Sequence, residues 1–61
     1  MFKFGNVSRI YNNEVEVTFV DDDTTGLIPI VDNGYKYKIN DYVVVLFNDE
    51  NQAVCIGKVK L

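Results

Sequence analysis

The feature that most restricts how this 61-residue chain can fold is a run of six consecutive apolar or aromatic residues, Tyr42–Phe47. Within the stretch 39–47 the run follows an Asn-Asp pair, and a second Asn-Asp pair ends it. Its length and bounds therefore predict a β-strand. Alternate side chains of a strand point to opposite faces. One face comprises Val43, Val45 and Phe47, and the other comprises Tyr42, Val44 and Leu46. Because both faces are apolar, we expect both to be covered.

The length of the chain limits the core that it can build. We expect a single domain over residues 1–61. A domain of this size buries less of its surface than a larger one, and disulfides, metals or oligomerisation often stabilise it. The single cysteine, Cys55, has no intramolecular partner, and without histidine the chain has no plausible ligand set for zinc. Oligomerisation or unusually good packing remains as the stabilising device.

The charge balance argues against nucleic acid as a partner. Nine acidic residues outnumber six basic ones, for a formal net charge of −3, whereas nucleic-acid affinity comes largely from lysine and arginine. The start of the chain lacks the apolar core of a signal peptide, and no apolar run reaches the length of a transmembrane helix. A lone cysteine fits a reducing compartment. We therefore expect no membrane span and synthesis in the cytoplasm.

Turn signals recur about every ten residues, which is the spacing of a small all-β sandwich or barrel. We expect strands over 3–11, 14–20, 26–31, 42–47 and 53–61, with turns or loops at 12–13, 21–25, 32–34 and 48–52. The segment 35–38 is either a short extended segment or a connecting loop. The pattern favours an all-β fold, a small five-stranded Greek-key barrel of OB type. An SH3-like barrel would give nearly the same pattern.

Individual residues refine this prediction. Gly5 and Gly57 mark changes in the apolar phase of their strands and indicate β-bulges. Pro29 cannot donate to a ladder and indicates a sheet edge or a bulge. Asn12 and Asn13 suit a two-residue hairpin, because asparagine tolerates positive φ.

The predicted core comes from two strands that share one phase. Between residues 14 and 20, apolar residues alternate with glutamate and threonine, which separates inside from outside. We predict that six side chains point inward together: Val15, Val17, Phe19, Val43, Val45 and Phe47.

The chemistry-bearing residues form no catalytic pattern. The chain has no histidine base, and its hydroxyls have no evident activating partner. Cys55 lies in an apolar strand, where cysteine acts as a small hydrophobe. We expect no enzymatic activity and no catalytic, cofactor-binding or metal site.

Two polar segments have alternative interpretations. The aspartates at 21–23 invite a metal ion, but they lack the glutamate and the glycine position of a calcium loop, so we interpret them as a solvated acidic loop. The segment 35–38 alternates tyrosine and lysine, as a platform for single-stranded nucleic acid does. Its aromatic residues equally suit packing against the barrel.

The outward residues of the fourth strand form the candidate oligomer interface. Tyr42, Val44 and Leu46 would make an apolar stripe in water, with Tyr11 or Val20 as a neighbour, depending on strand order. A ring of identical chains would give each subunit the cover that it lacks. We therefore predict a homo-oligomer, and the physical reasoning alone does not choose three subunits over two.

Five short motifs follow one another along the chain. They are Gly5-x-Val7; Val15-x-Val17-x-Phe19 followed by Asp21-Asp22-Asp23; Leu27-Ile28-Pro29-Ile30; Asp41-x-Val43-x-Val45-x-Phe47; and Val54-Cys55-Ile56-Gly57. From about Phe4 to Gly57 this ordered set resembles the N-terminal OB-fold domain of contractile-tail phage spike proteins (the baseplate assembly protein V family) and the related type VI secretion spikes. Two positions depart from the family. Gly26 stands where a tryptophan is frequent, and Asn40 stands where a glycine is expected.

The resemblance implies a structural part of a phage tail baseplate or spike, of a prophage-derived particle or of a secretion-like apparatus. It also implies a trimer on a tail hub or baseplate protein, and a final location in the virion or tail-like particle. Family spikes continue into a membrane-piercing needle, whereas this sequence ends at Leu61, so we do not carry over the piercing role. The alternative function is that of a single-stranded nucleic-acid-binding OB-fold domain, which would present a basic aromatic groove.

Overall fold

The structure is a computed structural model that describes residues 1–31, 34 and 36–60. Within these residues the chain forms β-strands and no helix. The strands are β1 (Phe2–Ile10), β2 (Glu14–Phe19), β3 (Thr25–Pro29), β4 (Tyr42–Phe47) and β5 (Ala53–Lys58). The predicted all-β class is confirmed, and β4 has the predicted bounds.

The five strands form one sheet in the order β3-β2-β1-β4-β5, with antiparallel pairing between neighbours. β1 to β3 are successive hairpin neighbours, whereas β4 returns through a long connection to lie on the other side of β1. This is the Greek-key order. The sheet curls into a half-barrel whose two edges meet at a parallel bridge between Ile30 and Cys55. The arrangement is consistent with a small β-barrel of OB type.

β3 is an edge strand of this sheet, and Pro29 is its last residue. An edge strand tolerates proline, because the missing N–H costs no ladder hydrogen bond on the open side. The sheet-edge interpretation of Pro29 is therefore confirmed. Just beyond it, the Val31 N–H donates to the Cys55 carbonyl at 3.2 Å and joins the two edges.

The bulge of β1 is not where the sequence predicted it. The register of β1 with β4 is regular from Phe2 to Asn6, and the irregularity with β2 lies between Val7 and Arg9. The prediction of a bulge at Gly5 is therefore wrong. The apolar phase does not change there, because the phenylalanines at 2 and 4 lie on the outer face of a regular strand.

Gly5 has a different role, at a close approach of two strands. It is buried between β2 and β4. A Cβ at this position would overlap a methyl group of Val17 and would lie 2.7 Å from the carbonyl oxygen of Thr18. In β5, by contrast, the register breaks at Ile56, next to the predicted Gly57.

The hairpin between β1 and β2 forms at the predicted residues, but for a different backbone reason. The Tyr11 N–H donates to the Glu14 carbonyl at 2.9 Å. Neither Asn12 nor Asn13 has a positive φ. The expectation that these asparagines adopt the left-handed conformation is therefore wrong.

The hairpin between β4 and β5 does use that conformation. Asn51 has a φ of 60°. The Oδ1 of Asn48 accepts hydrogen bonds from the N–H groups of Glu50 and Gln52, each at 2.9 Å. This side chain replaces backbone partners and holds the turn.

The core lies on the concave side of the sheet. Its buried residues are Val7, Val15, Val17, Phe19, Ile28, Tyr37, Val43, Val45 and Cys55. The predicted residues of β2 and β4 are all buried except Phe47, which is partly buried and packs against the others. The rings of Phe19 and Phe47 lie 5.8 Å apart. The sequence prediction used only two strands, so it omitted the contributions of β1, β3, β5 and the β3–β4 connection.

The described part of the segment 35–38 is a connecting loop rather than a strand. Tyr37 is buried in the core, whereas Lys36 and Lys38 are exposed. Tyr35 lies outside the described residues, as do positions 32 and 33 of the predicted turn. The single described tyrosine of this segment therefore packs inward, away from any surface platform.

The end of the connection is a turn fixed to β1. Asn40 has a φ of 74°, and its N–H donates to the Val7 carbonyl at 2.7 Å. The Val7 N–H in turn donates to the Asp41 carbonyl at 2.9 Å. Asparagine adopts positive φ more readily than most residues, so Asn40 fits a position that glycine also suits.

Candidate functional site

The outward side chains of β1, β4 and β5 form a continuous apolar surface, which we term the outer apolar face. It comprises Phe2, Phe4, Tyr42, Val44, Leu46, Val54 and Ile56. Phe2 pairs with Leu46 across β1 and β4, and Leu46 pairs with Val54 across β4 and β5. Paired residues of neighbouring strands point to the same face. Three adjacent strands therefore contribute to one surface.

Aromatic contacts order one side of this face. The rings of Phe4 and Tyr42 are stacked, with centroids 5.4 Å apart and planes 3° from parallel. The ring of Phe2 meets that of Phe4 edge-on at 5.5 Å and 88°. Both geometries are favourable for aromatic pairs. The face is therefore a packed surface rather than a set of independent side chains.

A large part of the outer apolar face remains accessible to solvent. Phe2 is 57% exposed, Leu46 44% and Ile56 42%. The other four residues are partly exposed. Exposed apolar patches of neighbouring side chains are candidate interaction sites.

The structure brings the three predicted interface residues together. Tyr42, Val44 and Leu46 lie on the face of β4 opposite the core. Of the two predicted neighbours, Val20 lies beside this face, because its N–H donates to the Phe4 carbonyl at 3.1 Å. Tyr11 follows the opposite end of β1.

The sequence prediction missed the residues that β1 and β5 add to the face. A signal for those of β1 was present, because Phe2 and Phe4 alternate with Lys3, Gly5 and Val7 in one unbroken phase. The signal was missed because this phase places Lys3 on the inward side of the strand, where lysine is rarely expected. In β5, Val54 and Ile56 could be assigned to this face only if Cys55 was interpreted as the inward residue.

The outer surface of β2 and β3 is different in character. Its paired side chains are Glu14 with Pro29, Glu16 with Leu27, and Thr18 with Thr25. We term this surface the polar half. The hydroxyl of Ser8 in β1 donates to Oε1 of Glu16 at 2.8 Å. Charged and hydroxyl groups thus face the solvent here.

Lys3 closes the barrel at the end where β1 begins. Its Nζ lies 5.6 Å from the ring centroid of Phe19 and 5.7 Å from that of Phe47. Cations are attracted to aromatic faces at such distances. The same Nζ lies 3.4 Å from Oδ2 of Asp21 and 4.0 Å from Oδ2 of Asp22. One lysine therefore joins the core to the acidic loop.

The acidic loop is organised by turn hydrogen bonds. Oδ1 of Asp22 accepts from the Thr24 N–H at 3.1 Å and from the Thr24 hydroxyl at 2.6 Å. These hydrogen bonds hold the pKa of Asp22 below its ordinary value. Asp23 has a φ of 59°, and its N–H donates to the Phe19 carbonyl at 3.0 Å. Among the described residues, no three acidic or cysteine side chains are grouped so as to hold a metal ion.

Cys55 lies in the core, with no exposed surface. Burial raises the pKa of its thiol above the ordinary value, and hydrogen bonding to the Tyr37 side chain partly opposes this. Nucleophilic cysteines are partially exposed and have a lowered pKa. The surroundings of Cys55 are those of a packing residue.

The opposite end of the molecule is basic. Lys58 Nζ lies 3.7 Å from Oδ2 of Asp41 and donates to the Lys36 carbonyl at 2.9 Å. The Lys38 N–H donates to Oδ2 of Asp41 at 2.7 Å. These contacts fasten the β3–β4 connection to the end of β5.

The sequence matches no protein-family model and no curated protein. Within the described part of the chain, no helix has the length and apolarity of a membrane span. The outer apolar face and the order of the sequence motifs are therefore the two bases for proposing a function.

Proposed function

We propose that this chain is a non-enzymatic assembly module of the baseplate or spike of a phage tail or prophage-derived particle, acting through protein–protein contacts. The observation that supports this proposal most directly is the outer apolar face. Three strands of a very small domain leave phenylalanine, leucine and isoleucine side chains exposed together. Interaction surfaces are enriched in aromatic residues and depleted of charge at their centre, and the outer apolar face has this composition.

Self-association is the simplest way to cover this face. Burying an aliphatic or aromatic side chain stabilises by about 1.5–3 kcal/mol relative to full exposure, and the partly covered residues contribute less. Several such residues per chain offset the entropy that association costs. We propose a homo-oligomer with closed symmetry. The resemblance to tail spikes favours a trimer seated on a hub protein.

The tail context rests on the ordered motifs. Two of them have a structural correlate in this chain. Asn40 occupies a positive-φ position where the family has glycine, and Pro29 ends an edge strand that follows an acidic loop. Both support the proposed relationship without depending on the outer apolar face.

Charge makes nucleic acid the weaker candidate for a partner. OB-folds bind oligonucleotides across β2 and β3 and with the β1–β2 and β4–β5 loops. In this chain those elements contain Glu14, Glu16, Asp49 and Glu50 and no lysine or arginine. Such a surface releases few counterions from a phosphate backbone. A protein partner fits it better.

The proposal is tested by asking whether the chain enters tail-like particles through this face. Tagged versions of the parent, Val44→Glu and Thr18→Glu chains would be expressed in the source cells, and induced particles would be purified and analysed by mass spectrometry. We expect the parent and Thr18→Glu chains in the particles and Val44→Glu in the soluble fraction. Thr18→Glu is the matched control, because it adds the same charge to the polar half. Absence of the parent chain from such particles would overturn the tail assignment.

A further inference from the structure

Charge in this molecule is separated along the strand direction. The loops 20–24 and 48–52 follow the ends of β2 and β4, and they contain three aspartates and an Asp-Glu pair. The segments 36–39 and 58–60 adjoin the start of β4, because Val43 pairs with Lys58. We term these the acidic end and the basic end. A strand of about six residues separates them by roughly 20 Å.

Each end holds charges that form no ion pair with other described residues. Within the described residues, the ion pairs join Lys3 to Asp21 and Asp22, and Lys58 to Asp41. None of these pairs uses Asp23, Asp49 and Glu50 at the acidic end, or Lys36, Lys38 and Lys60 at the basic end. All six side chains belong to exposed residues. The N-terminal ammonium also lies at the acidic end, where it donates to the Phe47 carbonyl at 3.3 Å.

Each end also has an exposed apolar element. At the acidic end a shallow depression continues the outer apolar face, and it is lined by Leu46, Asn48, Gln52, Ala53 and Val54. At the basic end Ile39 is 53% exposed and follows Lys38 directly. Ile39 directly precedes the left-handed turn at Asn40. One end thus has an apolar depression beside a loop that contains Asp49 and Glu50, and the other has an exposed apolar side chain next to lysines.

We propose that the acidic end of one protomer receives the basic end of a second copy of the chain. Ile39 of one copy enters the depression beside Leu46 of the next, and Lys36 and Lys38 face Asp49 and Glu50. Such a contact joins two different surfaces, so it is head-to-tail, and a head-to-tail contact closes into a ring when its rotation permits. This inference rests on the proposed self-association, and it specifies which parts of the chain meet. Opposite charges that meet in this way fix orientation and exclude the like-charged alternatives.

A charge exchange tests the contact. Glu50→Lys, Lys38→Glu and the double variant would be compared with the parent by sedimentation equilibrium, with circular dichroism as a check on folding. Each single variant should weaken association about tenfold or more, because it places like charges across the contact. The double variant should recover most of this loss, since the pair is restored with its signs exchanged. Glu14→Lys, on the polar half, is the control and should associate like the parent.

A further variant tests the contact of the Ile39 side chain with the depression. Ile39→Ser keeps every charge and should weaken association about tenfold. Added salt should weaken the association of the parent and that of Ile39→Ser in the same proportion, because the two chains have the same charges.

The outcomes separate this inference from the proposed function. If both single charge variants associate like the parent while Val44→Glu does not, the head-to-tail contact is wrong and the outer apolar face remains an interface. A double variant as weak as the single ones also overturns the contact. A parent chain that stays monomeric overturns both the contact and the proposed self-association.

Discussion

β2 and β4 are strands of equal length with the same inward residues and different outward ones. Their sequences are Glu-Val-Glu-Val-Thr-Phe and Tyr-Val-Val-Val-Leu-Phe. The inward positions read Val, Val, Phe in both, and the outward positions read Glu, Glu, Thr in β2 and Tyr, Val, Leu in β4. The inward residues of both strands thus pack in the same barrel core. Only the outward residues differ, and these face the surroundings of the sheet.

The sheet itself does not require this difference. Both strands pair with β1, and their other neighbours are β3 for β2 and β5 for β4. Each is therefore a central strand with one face on the same core. Water is a sufficient neighbour for the glutamates of β2. For β4, leaving the outward tyrosine, valine and leucine in water forgoes the free energy that their burial would contribute. We infer that a protein surface covers them.

The largest effect is expected where the two strands are most alike, at their final phenylalanines. Phe19→Ala should lower the free energy of unfolding by about 3–5 kcal/mol, the usual cost for a buried phenylalanine. Phe47→Ala should cost less, because Phe47 is only partly buried. Urea denaturation of both variants measures the difference. Equal and small losses would show that β2 and β4 do not share one core.

The next effect concerns the approach of β1 to β2. Gly5→Ala should destabilise the protein by about 1–3 kcal/mol, the usual cost of overpacking, because its Cβ would meet Val17 and a backbone oxygen. Gly26→Ala is the matched control, since Gly26 is the partner of Val17 on the other side. Its Cβ would lie 3.4 Å from Ile28 and 3.5 Å from Phe19, in ordinary contact.

Thermal denaturation of the two glycine variants compares these sites. Gly26→Ala should change stability by no more than about 1 kcal/mol, because alanine also restricts the unfolded chain. Two glycine variants of equal stability would contradict the close approach at position 5.

The smallest effect is expected in the loops that follow the two strands. Asp22 caps its loop with a carboxylate, whereas Asn48 caps its loop with a neutral amide. The folded protein holds the pKa of Asp22 below the ordinary value of 3.8. The stabilisation from this cap is therefore present above that pH and is lost as the pH falls below it. The effect is small, because the carboxylate is exposed and screened.

Melting temperatures measured between neutral and strongly acidic pH test this difference. Asp22→Asn should flatten the acid limb of the curve slightly, because the cap no longer titrates. Asp23→Asn is the control, since Asp23 has positive φ and asparagine tolerates that conformation. A larger flattening in Asp23→Asn than in Asp22→Asn would contradict the assigned cap.

Periodicity predicted the strands and much of the core because β2 and β4 alternate cleanly and end at turn residues. The same reasoning failed for β1, where Lys3 faces inward between two phenylalanine rings and an acidic loop. A local pattern does not contain such a long-range arrangement. It also gave no strand order, and therefore did not show that Phe2 and Phe4 extend the candidate interface on β4.

Residues outside the strands were the hardest to place. Tyr37 alternates with lysines in a segment that suits a surface platform, yet it is buried. Its position depends on how the long β3–β4 connection crosses the barrel, which periodicity does not describe. The candidate site was found from the sequence in part, because one strand with two apolar faces already requires a second cover.

Sedimentation equilibrium of the isolated chain tests the central claim most directly. At several hundred micromolar the parent should have a mass near three chains of 7.0 kDa each. Val44→Glu should shift the mass toward one chain while circular dichroism shows the fold retained, and Thr18→Glu should leave the mass unchanged. A parent chain that sediments as a monomer at this concentration, or a Val44→Glu chain that associates like the parent, would contradict the assignment of the outer apolar face as a self-association surface.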